Sequence, residues 1–194
     1  VGEKEAERYM DNEKLKEFCQ QMIAYRLPRW QDLPTFDIYM DQLITLVKQY
    51  LKDLFDEEDV IITSSMINNY VKMDLIPKPV KKRYNREHIA YLLAITLMKQ
   101  VLTISQVKDG IAFQIAQLGP KGAFDLFCDE QENALQMIAT QVLEKQEGKV
   151  SEYLMSFHRN NVPIRLITLA FASRMVAKKI VYLAKETAEA ETEG

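Results

Sequence analysis

The chain has 194 residues, of which 47% are hydrophobic and 27% charged, and its net charge is −3. That is enough apolar material for one large or two small folded domains, and it excludes a disordered chain. No apolar run can span a bilayer, because the most apolar stretch, residues 89–102, carries Lys99 and Gln100, and residues 1–5 lack the apolar core of a signal peptide.

Six glycines, helical spacing of apolar residues and long segments rich in Leu, Ala, Gln, Glu and Lys predict an all-α, multi-helix globular fold. A first helix is expected over about 12–25, with Leu15, Phe18, Cys19, Met22 and Ile23 on one face, and an ordered connection through Pro28, Trp30 and Pro34 completes an N-terminal region of residues 1–34. Thr35 is expected to cap the next helix, whose apolar positions Phe36, Tyr39, Met40, Leu43, Val47, Tyr50, Leu51 and Leu54 follow steps of three and four until residues 56–59. Thr63 or Ser64 then caps a short helix, and Pro77 and Pro79 break the chain. Asn85 caps a helix from 86 to about 101 that is apolar around most of its circumference and should be the buried central strut. Thr103 or Ser105 caps another helix, which Gly119-Pro120 should end, making 35–118 one module. Residues 119–188 hold further helices, over about 123–145, around 151–157, and from Asn161 with Pro163 in the first turn. These helices would complete a core or form a dimer, and the acidic tail 189–194 should fray.

The chemistry-bearing stretch is 63–88, where six Lys or Arg face Asp74 and Glu87, so that a local +4 sits in a chain that is otherwise −7. On the helix after Thr63, Met66, Ile67, Tyr70 and Val71 share one face. Ser65, Asn68, Asn69 and Lys72 share the opposite one at i, i+3, i+4 and i+7. Asn is a poor helix-interior residue, by about 0.6 kcal/mol against Ala, but it can bond bidentately to adenine in the major groove. Taken alone, the stripe is equally well a solvated helix face. Residues 77–86 follow with Lys78, Lys81, Lys82, Arg83 and Arg86 and no acid, a strip expected to be held extended by its prolines and able to track phosphates.

Ile67-Asn68-Asn69-Tyr70, then Leu75-Ile76-Pro77-Lys78-Pro79, then Tyr84-Asn85-Arg86-Glu87-His88-Ile89 and Leu102-Thr103-Ile104-Ser105-Gln106-Val107 together resemble the DNA-binding module of MerR-type regulators. In that module a recognition helix ends in a glycine-containing turn, and a wing leads to the capped start of the next helix. The sequence departs from that pattern at Asn68 and Asn69, at Asp74 in place of the turn glycine, and in a shorter wing. Over residues 27–117, Leu27-Pro28-Arg29-Trp30, Tyr39-Met40-Asp41-Gln42 and Ser65-Met66-Ile67-Asn68-Asn69-Tyr70-Val71-Lys72 more specifically resemble the bacterial family called domain of unknown function 1836. That resemblance implies a mostly helical bacterial protein whose function is unestablished.

The remaining candidates for chemistry are weak. Cys19 and Cys128 have no Cys or His at ligand spacing and read as small buried hydrophobes in a reducing, cytoplasmic setting. His88 and His158 form no metal motif, Gly119-Pro120-Lys121-Gly122 lacks the spacing of a phosphate loop, and residues 53–59 lack the alternating oxygens of a calcium loop. The expectation is therefore a non-enzymatic regulator without metal or cofactor that binds double-stranded DNA. Ser65, Asn68, Asn69 and Lys72 would meet a groove, Lys78, Lys81, Lys82, Arg83 and Arg86 the phosphates, and the C-terminal helices a second copy. The rival is a helical interaction protein whose basic strip binds an acidic protein.

Overall fold

The computed structural model describes residues 12–144 and 161–192, so the expected helix at 151–157 and His158 lie outside the described residues. The protein is all-helical: among the described residues the regular elements are six α-helices, two 3-10 turns and two isolated β-bridges. We number the helices α1 Glu13–Ala24, α2 Met40–Leu51, α3 Ser64–Lys72, α4 Arg86–Met98, α5 Ile104–Glu144 and α6 Val162–Thr192. No helix among the described residues is long and apolar enough to cross a membrane.

The chain forms two compact units. One is Arg26–Glu130; the other joins the described residues up to Tyr25 to those from Gln131 onward. These divisions differ from the boundaries read at 34 and 118. Gly119 does interrupt α5, with φ 68 and ψ 170, but the interruption is one residue wide. Pro120 bars its predecessor from helical angles, Gly119 takes a left-handed φ at little cost, and Pro120 then serves as the first residue of a new helical run.

In the Arg26–Glu130 unit, α4 is the strut on which the rest is built. Asn85 caps it through its side-chain oxygen, which accepts the His88 N–H at 3.3 Å, and ten of its thirteen residues are buried. Each fully buried Leu or Ile stabilises by roughly 1.5–3 kcal/mol, so Ile89, Leu92, Leu93, Ile95 and Leu97 dominate this core. Helix α2 packs on α4 and α3 through Leu43, Val47 and Leu51. It begins four residues later than a Thr35 cap implied. Residues 35–39 are not helical, because the N–H and C=O of Ile38 both pair with Tyr84 at 2.8 Å, which leaves Phe36 67% exposed and Tyr39 half exposed.

The connection ahead of α2 is fastened to α5. The Trp30 N–H donates to the Asp125 carboxylate at 2.8 Å, Arg29 pairs with Asp129 at 2.8 Å, and the Trp30 ring meets Phe124 edge-on at 6.4 Å. Asp125 and Asp129 are four residues apart and share one helix face, so a single turn of α5 grips two consecutive residues. The Cys128 thiol, also on this turn, lies 3.5 Å from the Pro28 carbonyl.

In the other unit α1 packs on α6, burying Leu15, Cys19 and Met22. Lys14 pairs with Glu186, and the Lys179 ammonium lies 5.6 Å from the Phe18 ring centre. Burial pushes the Cys19 thiol up to about 11, which keeps it protonated and inert at neutral pH. Helix α6 carries Pro163 in its first turn and continues to Thr192, so the segment expected to fray from 189 is helical that far.

Candidate functional site

Thr63 starts α3 by accepting the Met66 N–H on its side-chain oxygen at 3.2 Å, and the helix is nine residues long. Ile67 and Tyr70 are buried, whereas Ser65, Asn68, Asn69 and Lys72 are all exposed. These four polar side chains make no hydrogen bond or ion pair among the described residues. An Asn pair in so short a helix thus opposes local propensity with no compensating bond inside the unit.

Two lysines hold this helix at its ends, and both do so through backbone. Lys99, at the end of α4, donates to the Ile61 carbonyl just ahead of α3 at 3.2 Å, and burial lowers its pKa. Lys108, in α5, donates to the Met73 carbonyl just after α3 at 2.7 Å. The sequence places neither lysine against this helix, since each acts on a carbonyl 35 or more residues away. Asp74 follows with φ 51. Asp tolerates this left-handed conformation better than most residues, and the turn brings the Leu75 N–H back to the Tyr70 carbonyl at 2.9 Å.

The basic stretch after Pro77 is not the extended strip its prolines implied. Val80 and Arg83 form an antiparallel bridge, the Arg83 N–H donates to the Val80 carbonyl at 2.9 Å, and Lys81 and Lys82 sit between them with φ 49 and 61. Two consecutive positive φ values define a tight hairpin turn of the I′ kind, which matches strand twist but ordinarily takes Asn-Gly. A non-glycine residue held there costs on the order of 1 kcal/mol or more. Nothing in the lysine pair signals such a turn. The signal lies in the pairing of Tyr84 with Ile38, which closes the hairpin from across the sequence.

The neck of this hairpin is latched by His88. Its Nε2–H donates to the Pro77 carbonyl at 3.1 Å, its Nδ1 accepts the Asn85 N–H at 3.1 Å, and Tyr84 packs edge-on at 5.2 Å. The ring is 4% exposed, and burial lowers its pKa, so it is neutral at physiological pH. His88 therefore joins the entry of the hairpin to the cap of α4.

The five cations expected to act together are divided by the fold. Lys78, Lys81 and Lys82 are exposed and make no side-chain bond or ion pair among the described residues. Arg83 is exposed but folded onto Tyr39, with its Nη2 donating to the phenol oxygen at 3.0 Å and its guanidinium 4.9 Å from the ring centre. Arg86 turns inward. Its Nε and Nη2 both donate to the Leu33 carbonyl, at 3.2 and 2.8 Å, and its guanidinium lies 6.0 Å from the Trp30 ring centre. A carbonyl that receives two charge-assisted bonds explains Arg86 structurally.

The Arg26–Glu130 unit is thus a helical body that displays a polar helix and a cationic hairpin. The chain belongs to the family described as Domain of unknown function (DUF1836), which matches residues 28–127, nearly the whole of this unit. No curated protein and no solved structure matches it.

Proposed function

We propose that the Arg26–Glu130 unit binds double-stranded DNA and that the protein is a transcriptional regulator. In this reading α3 lies in the major groove with Ser65, Asn68, Asn69 and Lys72 facing base edges and phosphates, and Lys78, Lys81 and Lys82 neutralise phosphates nearby. The observation that carries it is the pinned helix α3, which is anchored at both ends from α4 and α5 while its amide-bearing face bonds to nothing among the described residues. The segment from α3 to the start of α5 is further read as a MerR-like arrangement of recognition helix, wing and capped helix. The left-handed φ of Asp74, at the position where the MerR pattern has glycine, supports this. Pairing of two copies through the C-terminal helices would present two such units to a two-fold site.

The test is selection of bound fragments from genomic DNA by the purified protein, with binding repeated across salt. Lys72, Lys78, Lys81 and Lys82 are four exposed cations, so the log-log salt slope is expected to be about −4 per subunit. Recovery of no duplex, or salt-insensitive association, overturns the reading. Capture of an acidic protein by the hairpin, with no duplex bound, would replace it with the interaction-protein alternative.

A further inference from the structure

The 80–83 hairpin and a groove of the same unit are each left incomplete, and in complementary ways. We propose that the hairpin of one copy plugs the groove beside α2 of a second copy, and the reverse, so that two copies close a two-fold contact through their Arg26–Glu130 units.

The groove arises where local packing is overridden. Phe36 has the spacing to extend the apolar face of α2, but the pairing of Ile38 with Tyr84 holds residues 35–39 out of the helix and leaves Phe36 67% exposed. Between this extended segment and α2 lies an open cavity of about 330 Å³. Pro34, Phe36, Ile38 and Leu46 are its apolar lining, and Asp41 and Thr45 belong to its polar side. No Lys, Arg or His lines it, and the Asp41 carboxylate has no ion pair among the described residues. The chemistry that fits is an apolar side chain flanked by cations.

The hairpin supplies that combination. Val80, at 71%, is the most exposed large hydrophobic side chain among the described residues. Lys81 and Lys82 follow it, and Lys78 stands two residues before it. None of the three ammonium groups has a hydrogen bond or ion pair among the described residues. A lysine can lay its apolar stem along a ring such as Phe36 while its charged head reaches a carboxylate such as Asp41. One exposed valine or one exposed phenylalanine is ordinary by itself. The two together, each with the opposite charge beside it, are a matched pair.

The plug comes from another copy because the hairpin is held away from its own groove. Its root is fixed by the Ile38–Tyr84 pairing, by the Arg83 bond to the Tyr39 phenol at 3.0 Å and by the His88 bond to the Pro77 carbonyl at 3.1 Å. The exposure of both Val80 and Phe36 shows that they do not cover each other within one chain. A tip already ordered in this way loses little freedom on association. The same Ile38–Tyr84 pairing ties hairpin to groove wall in every copy, so each partner brings both halves of the contact, as a closed two-fold interface requires. This contact needs no DNA, and because its lysines are those assigned above to phosphates, it excludes duplex binding by the hairpin.

The experiment is sedimentation of the full chain with charge reversals on either side. The wild type should self-associate in the micromolar range. Lys81→Glu/Lys82→Glu, and separately Asp41→Lys, should each weaken that step by about tenfold or more. An equimolar mixture of the two variants should associate as the wild type does, since every reversed hairpin then meets an unreversed partner of opposite sign, whereas two misfolded variants could not restore one another. A second readout locates the contact whether or not copies also pair through the C-terminal helices. Cys19 and Cys128 are buried, so Thr45→Cys and Val80→Cys chains, mixed and oxidised, should form the mixed disulfide faster than either pairs with itself. A wild type whose mass does not change with concentration, reversals without effect, no restoration in the mixture, or a mixed disulfide no faster than self-pairing would overturn the proposal and leave the DNA reading intact. Recovery of no duplex from the genomic selection would overturn the DNA reading and leave this contact standing.

Discussion

Helix α4 and the 80–83 hairpin are adjacent in sequence and obey opposite rules. In α4 nearly every side chain is spent inside the unit: ten of thirteen are buried, Asn85 and His88 satisfy each other's backbone, and Arg86 satisfies the Leu33 carbonyl. The hairpin spends backbone energy on two left-handed lysines whose side chains make no hydrogen bond or ion pair among the described residues. Residues of the first kind are explained by folding. Those of the second kind are not explained by folding, and such local conflicts are the expected mark of a functional surface.

Mutations should separate the two regions. The largest effect is expected at Leu93, fully buried in α4: Leu93→Ala should lower unfolding free energy by about 2–5 kcal/mol, measured by denaturant titration, with DNA affinity unchanged once the folded fraction is corrected for. Lys82→Gly should act in reverse. It relieves a φ of 61 and should raise stability by about 1 kcal/mol while weakening DNA binding. A loss of stability there would place the hairpin under the same rules as α4.

A smaller effect concerns the latch between them. Burial lowers the His88 pKa, so below the ordinary histidine value of about 6.5 the unfolded chain binds a proton that the folded chain resists. Stability attributable to His88 is therefore complete above that pH and is lost as pH falls through 6.5 toward the depressed folded value. The thermal midpoint of the wild type should drop more steeply between pH 7 and 5 than that of His88→Gln, and parallel curves would sink the assignment. The smallest stability change is expected at the exposed stripe. Asn68→Ala with Asn69→Ala should raise stability by at most about 0.6 kcal/mol per site, yet should abolish preference among DNA sequences while leaving nonspecific binding, as read by competition with unrelated duplex.

What the sequence made legible follows the same division. Helices α3 and α4 could be read because their determinants are local: Thr63 and Asn85 cap them, and their apolar spacing is uninterrupted. Residues 35–39 misled because Thr35, Phe36 and Tyr39 fit the helical spacing of α2, while the pairing that overrides it comes from Tyr84. The contacts of Arg83 and Arg86 depend on Tyr39 and Leu33, 44 and 53 residues distant, and no composition of the basic strip could have revealed them. The hairpin itself was hidden because Lys-Lys carries none of the usual turn chemistry. The polar stripe of α3 was visible from spacing alone, since exposure of one helix face follows directly from burial of the other.

The way α3 is held has a consequence for engineering. Lys99 and Lys108 grip the carbonyls of Ile61 and Met73, and these acceptors exist whatever side chains stand at those positions. The seating of the helix also rests on the buried Ile67 and Tyr70, none of which belongs to the outward set. Positions 65, 68, 69 and 72 can therefore be randomised together as a cassette without touching the fixtures, and a library built there would vary the exposed face of the helix while its mounting stays constant.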